Sequence, residues 1–434
     1  MPISEILLVT FALLLVAMIA ANLCRHIAIP YTVVLVILGI SINLAEHFLP
    51  FANNLQQFHL TPDIVLFVFL PALIFESALS LDARALLKNL IAVAVLAIPG
   101  MLISALLVGL GLAWSMHLNL IVALIFGALI SATDPVAVVA IFKELGVPKR
   151  LLILVEGESL LNDATAIVLF NIMLGFVATN EMLTSDILPA ISQFLTVFFG
   201  GIVVGIVIGL MMSELMVRLY HGSHGIPVIL SMAMAYFSFI LAEHYFHVSG
   251  VMSVLTAAIC LNATGLIRLS HDTMRMVRES WEIIILTCNS LLFILIGLSV
   301  NVFTLLSHWN LILLAAAAVA IARAFSIYLL TPLTTYIFKL PKISLHERHI
   351  MWWGGLKGGL AIAVVLSIPD SLPEKKMLIE LTLGVVLVSL LLNATTIKML
   401  IHWLKLDQLS SEENAELEHN TQQIKVAVDN RLVL

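Results

Sequence analysis

The stretch ALISATDPVAVVAIF, residues 128–142, decides how this chain folds. It is apolar enough to sit in a bilayer, yet Asp134 lies deep within it and Pro135 follows directly. A proline inside a continuous helix costs about 3 kcal/mol. The residue before it is pushed out of helical geometry. The sequence therefore predicts a helix interrupted at Thr133–Asp134. A simple proline kink is the plainer alternative, but it leaves the adjacent acid unexplained. A break frees backbone groups, which a membrane tolerates only where protein or a water-filled cavity surrounds them. Broken helices of this kind can hold a cation at the bilayer midplane with carbonyls and carboxylates.

The membrane setting rests on the whole chain. Of its 434 residues 61% are hydrophobic and 11% charged, where soluble proteins carry about 25% charged residues. Apolar runs of membrane-spanning length recur near 4–23, 27–45, 60–78, 86–114, 117–142, 151–179, 187–217, 226–246, 249–267, 281–299, 309–338, 348–368 and 377–403. The predicted fold class is thus an all-α polytopic membrane protein of about thirteen transmembrane helices. The longest runs must tilt, project or include a break, and the split between the eighth and ninth is the shortest link.

Loop charge sets the orientation. Alternate loops carry Arg25, then Arg84 and Lys88, then Lys143, Lys149 and Arg150, then Arg218, then Arg268, Arg275 and Arg278, then Lys339, Lys342 and Arg348. The intervening loops carry Lys375 and Lys376. The positive-inside rule then places the N-terminus outside and the C-terminus in the cytoplasm. Residues 1–406 form the membrane domain, and the polar, acid-rich stretch 407–434 a short cytoplasmic tail. The first apolar run follows Glu5 and lacks a basic leader, so it reads as a first helix and not a cleaved signal. Cys24, Cys260 and Cys288 have no metal-like spacing and read as small apolar residues. The formal net charge of −6 says little about partners. Membrane lipid is the expected surrounding, with no cofactor and no nucleic acid.

Four further intramembrane features carry the chemistry. In LLILVEGESLLNDATAIVLF (151–170), Ser159, Asn162 and Asp163 fall on one helical face that Glu156 joins, with Glu158 beyond its edge. An ionised Asp at mid-bilayer costs about 2.5–3.5 kcal/mol, so such a stripe must face protein or water. In WWGGLKGGLAIAVV (352–365), four glycines weaken the helix around Lys357. That lysine can neutralise exposed C-terminal carbonyls or simply snorkel past a close helix contact. Arg323 sits in an apolar run without an acid near it in sequence. Glu158 is its expected partner in a structural ion pair, since Asp163 and Asp134 suit a mobile ion. Glu76, in FLPALIFE (69–76), reads equally as a gate or an interface residue. Gly201, Gly205 and Gly209 make a flat face for helix packing.

Together these stretches resemble the monovalent cation:proton antiporters, in the sodium/proton exchanger branch of NhaP type. ATDPVAV (132–138) and GESLLNDATAIVLF (157–170) look like that family's paired signatures. IPYTVVLVILG (29–39), FLPALIFE (69–76), ARAFSIY (322–328) and WGGLKGGLA (353–361) match in order, so the likeness spans roughly residues 5–400. The resemblance implies inverted repeats with two broken crossing helices (an NhaA/NhaP-like antiporter fold), a homodimer, and a core domain moving against a dimerisation domain. It implies Asp163 as the shared carrier of proton and cation, with Asp134, Thr133, Ser159 and Asn162 around it. Na⁺ would sit at Asp163, Asp134, Ser159 and Thr133. It implies Glu158 as the partner of Arg323, and a place in the cell inner (plasma) membrane, in pH homeostasis. The family most often has Arg where this chain has Lys357, a more compact point charge.

The expected activity is one-for-one, electroneutral exchange of Na⁺ or Li⁺ for H⁺ by alternating access, and not an enzymatic one. The amide of Asn162 adds polarity without a second titrating charge. K⁺/H⁺ exchange on the same fold is the alternative. An intramembrane aspartyl protease would carry Gly-x-Gly-Asp, which this chain lacks. A channel would need no coupled proton. EHYFH (243–247) has the wrong order for a zinc helix.

Overall fold

In hydrocarbon a helix satisfies every backbone group from within its own segment, and these apolar runs fold accordingly. The computed structural model describes residues 3–24, 31–45, 62–179, 187–219 and 225–406, and among them finds helices and no strand. In chain order they are α1 (Ile3–Cys24), α2 (Tyr31–Ala45), α3 (Pro62–Ile64), α4 (Leu70–Ser80), α5 (Ala83–Ala97), α6 (Pro99–Met116) and α7 (Leu120–Ser131). Then come α8 (Val136–Leu145), α9 (Lys149–Thr179), α10 (Ile187–Leu219), α11 (Gly225–Ile240), α12 (Gly250–Arg268) and α13 (His271–Ser299). The last are α14 (Val302–Ser307), α15 (Trp309–Phe338), α16 (Leu345–Trp353), α17 (Gly359–Leu366), α18 (Lys375–Val388) and α19 (Ala394–Trp403).

Joining pieces divided by a kink, a π-helical turn or a short break leaves, besides the short α14, thirteen rods among the described residues. That is consistent with the thirteen runs read from the sequence. The fourth run is one rod bent at Ile98, where Pro99 opens α6. The third and last runs hold π-helical turns at Val65–Phe69 and Ser389–Asn393. The eighth and ninth runs are separate: the chain turns after Tyr245, and Glu243 Oε2 accepts from Gly250 N (2.9 Å) at the start of α12. The expected tail, 407–434, and the loop residue Arg25 lie outside the described residues.

Two groups of helices emerge from the packing. α2 lies along α13, α12 along α10 and α4, and α13 also touches α4. In the other group α6 packs on α7 and α15, α9 on α5 and α7, and α18 on α15 and α17. Small residues permit the closest approaches. Gly201 meets Ser249, Gly205 meets Ser253 and Gly209 meets Ala257, so the glycine stripe of α10 packs on α12. The opposite side of α10 exposes Phe199, Val203, Val207 and Leu210, a surface suited to lipid.

Candidate functional site

Two of the rods are interrupted halfway, and their interruptions meet. α7 stops at Ser131 and α8 starts at Val136. α16 stops at Trp353 and α17 starts at Gly359. The two extended segments touch through backbone: Asp134 N donates to Leu356 O (2.9 Å). Gly358 lies directly against the Asp134 carboxylate, and a methyl group on that glycine would collide with it. Glycine is therefore demanded there by close approach.

Breaking a helix leaves orphan backbone groups, and side chains take them up here. Lys357 Nζ donates to Ser131 O (3.3 Å) and Ala132 O (3.1 Å), the last carbonyls of α7. The ammonium also meets the negative end of that helix dipole. Asp134 Oδ1 accepts from Val136 N (3.0 Å) at the start of α8. Lys357 N donates to Ser389 Oγ (3.1 Å), on the π-helical turn of the last rod. Asn393 Nδ2 donates to Trp353 O (3.0 Å), at the end of α16.

The stripe on α9 reads onto this crossing. Ser159 Oγ donates to Thr133 O. Asn162 Nδ2 donates to Thr133 Oγ1 (2.7 Å), and its Oδ1 accepts from Thr133 N (3.3 Å). Asn162 thus braces the break and does not line the cavity beside it. That cavity, of about 80 Å³, is lined by Asp163, Asp134, Thr133, Ser159, Glu76, Ser77 and Asn289, with apolar residues and glycines completing the wall. It has room for water or a small ion. The Asp163 carboxylate makes no hydrogen bond to any described residue.

Two further ion pairs lie outside the cavity. Arg323 Nη1 donates to Glu158 Oε1 (2.9 Å), Nη2 to Glu158 Oε2 (3.3 Å) and Nη2 also to Met351 O (3.0 Å). This planar fork-to-fork match is what Arg supplies and Lys does not. Glu156 pairs with Lys143 (3.5 Å) in the last turn of α8. Of the residues named from sequence, the structure brings Thr133, Asp134, Ser159, Asp163 and Glu76 to one cavity. Asn162 and Lys357 stand behind its wall, and Glu158 with Arg323 one layer further out. Sequence reasoning misses Asn289, on α13. Its signal is faint: a lone amide in an apolar run.

The arrangement suits a hard monovalent cation: oxygen groups and a carboxylate without a hydrogen-bond partner around a small cavity. Comparison with known proteins agrees. Residues 11–403 match the family described as sodium/hydrogen exchanger, transmembrane. The chain is 38% identical over 383 residues to the Na⁺/H⁺ antiporter ApNhaP of Aphanothece halophytica, covering 87% of this chain and 70% of that one. It is 37% identical over 415 residues to the Na⁺/H⁺ antiporter NhaG of Bacillus atrophaeus, covering 93% and 76%. In fold it is similar to the sodium proton antiporter MjNhaP1 of Methanocaldococcus jannaschii, with TM-score 0.77 at 19% identity over 93% of this chain and 99% of that one. A family match over nearly the whole membrane region, joined to two broken helices crossing at an unpaired carboxylate, leaves one conclusion: this chain belongs to the transmembrane sodium/hydrogen exchanger family.

Proposed function

We propose that this protein exchanges Na⁺, or Li⁺, for H⁺ across the membrane, one for one, with Asp163 carrying either passenger in turn. The observation that carries this reading is the Asp163 carboxylate itself. It faces a small cavity without a hydrogen-bond partner, while the polar groups around the crossing are committed to backbone. A bare carboxylate is costly to enclose away from water. The moving unit therefore crosses only when a proton or a metal ion neutralises it, and coupling needs no further device. Asp134, Thr133 and Ser159 complete the oxygen surroundings of the ion.

Charge counting at the crossing supports the one-for-one ratio. Within the packing group that holds the broken helices, Asp134, Asp163 and Glu158 oppose Lys357 and Arg323, which leaves one negative charge over on that unit; Glu76, the cavity's other acid, sits on α4 in the opposite group and stays outside this count. A single monovalent ion or a single proton cancels it. Asn162 preserves that balance by being an amide. K⁺ would obey the same charge argument, but the names of the relatives favour Na⁺.

The two packing groups suit the expected division into a dimerisation unit and a core unit that rocks against it, within residues 1–406. The lipid-facing apolar surface of the first group is where a second copy would pack in a homodimer. The basic loops favour an N-terminus outside and a C-terminus in the cytoplasm, and the family resemblance favours the plasma membrane. The test is dye-reported exchange in proteoliposomes carrying Asp163→Asn. Cation-driven pH change should vanish while the purified variant elutes and unfolds like the parent. Retained exchange would remove Asp163 from the carrier role.

A further inference from the structure

Asn289 is placed where an apolar residue would be cheaper. It is 8% exposed, and its carboxamide makes no hydrogen bond to any described residue. Its amide atoms are not sealed in the core but open on the cavity, where an amide that bonds no described residue is free to meet a partner that comes and goes. The side chain lines the same cavity as Asp163, Asp134, Ser159 and Glu76. Its helical neighbours on that face, Ile285 and Leu292, line the cavity too and are apolar. Leu292 also packs against Gly359, the first residue of α17, which fixes this face of α13 against the crossing.

α13 belongs to the packing group that holds neither broken helix. Asn289 thus faces the cavity from the wall opposite the one that carries Asp163. We infer that Asn289 supplies a neutral oxygen ligand to the alkali cation, or to its remaining hydration water, from that opposite wall, and so helps set cation affinity and selectivity. A carboxamide oxygen suits a hard cation and adds no charge to the site. A leucine would leave the ion's inner face against hydrocarbon. This inference rests on the reading of Asp163 as the cation carrier.

The test is Na⁺ and Li⁺ titration of exchange in proteoliposomes of Asn289→Leu and Asn289→Ser, beside thermal unfolding of each purified variant. Asn289→Leu should raise the apparent KM for Na⁺ about tenfold, equivalent to about 1.4 kcal/mol. Its maximal rate should stay within about twofold, the pattern for a lost binding contact. Asn289→Ser, which keeps an oxygen, should fall between it and the parent. The ratio of Li⁺ to Na⁺ affinity should change in both variants. Thermal stability of the leucine variant should not fall, because it removes an unpartnered amide. Unchanged KM values in both variants would overturn the inference. So would a fall in stability with an equal loss of rate at every Na⁺ concentration, which marks a structural residue. Asp163→Asn separates the two readings. If it still exchanges, the carrier reading fails whatever Asn289 does. If it is dead while the Asn289 variants keep the parental KM, the Asn289 inference fails alone.

Discussion

Removing one partner of the Glu158–Arg323 pair should be far worse than removing both. The pair is bidentate, at 2.9 and 3.3 Å, and both side chains are buried. Deleting one member strands a charge, at a cost of about 3–5 kcal/mol. Replacing both with apolar side chains of similar volume is often near neutral or mildly favourable. Here the double replacement Glu158→Met with Arg323→Met also orphans Met351 O, which accepts from Arg323. A lost hydrogen bond of that kind costs about 1 kcal/mol. The double variant should therefore lose about 1–2 kcal/mol, well below the sum of the singles, with a coupling of several kcal/mol. The singles should also differ. Lys357 lies within electrostatic range of both Glu158 and Arg323. Without Arg323, Glu158 retains Lys357 as a neighbouring cation; without Glu158, Arg323 and Lys357 face each other unscreened. Glu158→Met should be the more damaging single change. Equilibrium unfolding in mixed detergent micelles, read by tryptophan fluorescence as a double-mutant cycle, gives the coupling directly. Additive losses would refute the pairing as a stabilising unit, and a more damaging Arg323→Met would refute the role given to Lys357.

Asn162→Asp loses the amide donor to Thr133 Oγ1 and adds a carboxylate beside Asp163. Exchange by this variant should respond to a membrane potential clamped with K⁺ and valinomycin, while the parent is insensitive; an insensitive variant or a sensitive parent contradicts the charge argument. Gly358→Ala drives a methyl group into the Asp134 carboxylate. Overpacking of this kind costs about 1–3 kcal/mol, and the displaced Asp134 should weaken Na⁺ binding in a titration of exchange; parental stability and KM together would show that the two breaks do not meet as described.

Most of the fold is legible because bilayer physics is blunt. Length and hydropathy mark the rods, and glycine and proline mark where two of them fail. Pro135 and the Gly-Gly-Leu-Lys-Gly-Gly run both sit at true interruptions. The fourth run reads as one apolar stretch and bends at Ile98, because Pro99 can open a new helical segment without ending the span. The π-helical turns leave no mark, since VLFVF (65–69) and SLLLN (389–393) hold neither proline nor glycine and continue the apolar runs around them. At the site, scarcity helps: few charges lie inside the membrane, so each can be asked for its partner. What scarcity cannot do is tell a cavity-facing amide from a bracing one. Asn162 stands out in a polar stripe yet turns to Thr133. Asn289 stands in an unremarkable run yet lines the cavity. That distinction depends on which helix lies opposite, which is a tertiary fact.

The allocation of these side chains between the two packing groups bears on how exchange proceeds. Thr133 and Asp134 lie in the break between α7 and α8, Ser159 on α9 and Lys357 between α16 and α17, tied together by hydrogen bonds across the crossing, and Asp163 rides with them on α9. Those bonds link three rods through side chain and backbone, so the crossing moves as one piece. Glu76 and Asn289 sit on α4 and α13, in the other group, and none of those bonds reaches them. Under the proposed exchange, rocking one group against the other leaves the carrier's oxygen surroundings intact. It withdraws Glu76 and Asn289 from Asp163. The ion then meets these two groups on one side of the cycle and not on the other. Substitutions at Glu76 and Asn289 should accordingly alter cation affinity unequally from the two faces of the membrane, whereas those at Ser159 or Thr133 should alter it equally. Oriented vesicles titrated from either side distinguish the two patterns, and equal effects for all four residues would argue against a division of the site along this boundary.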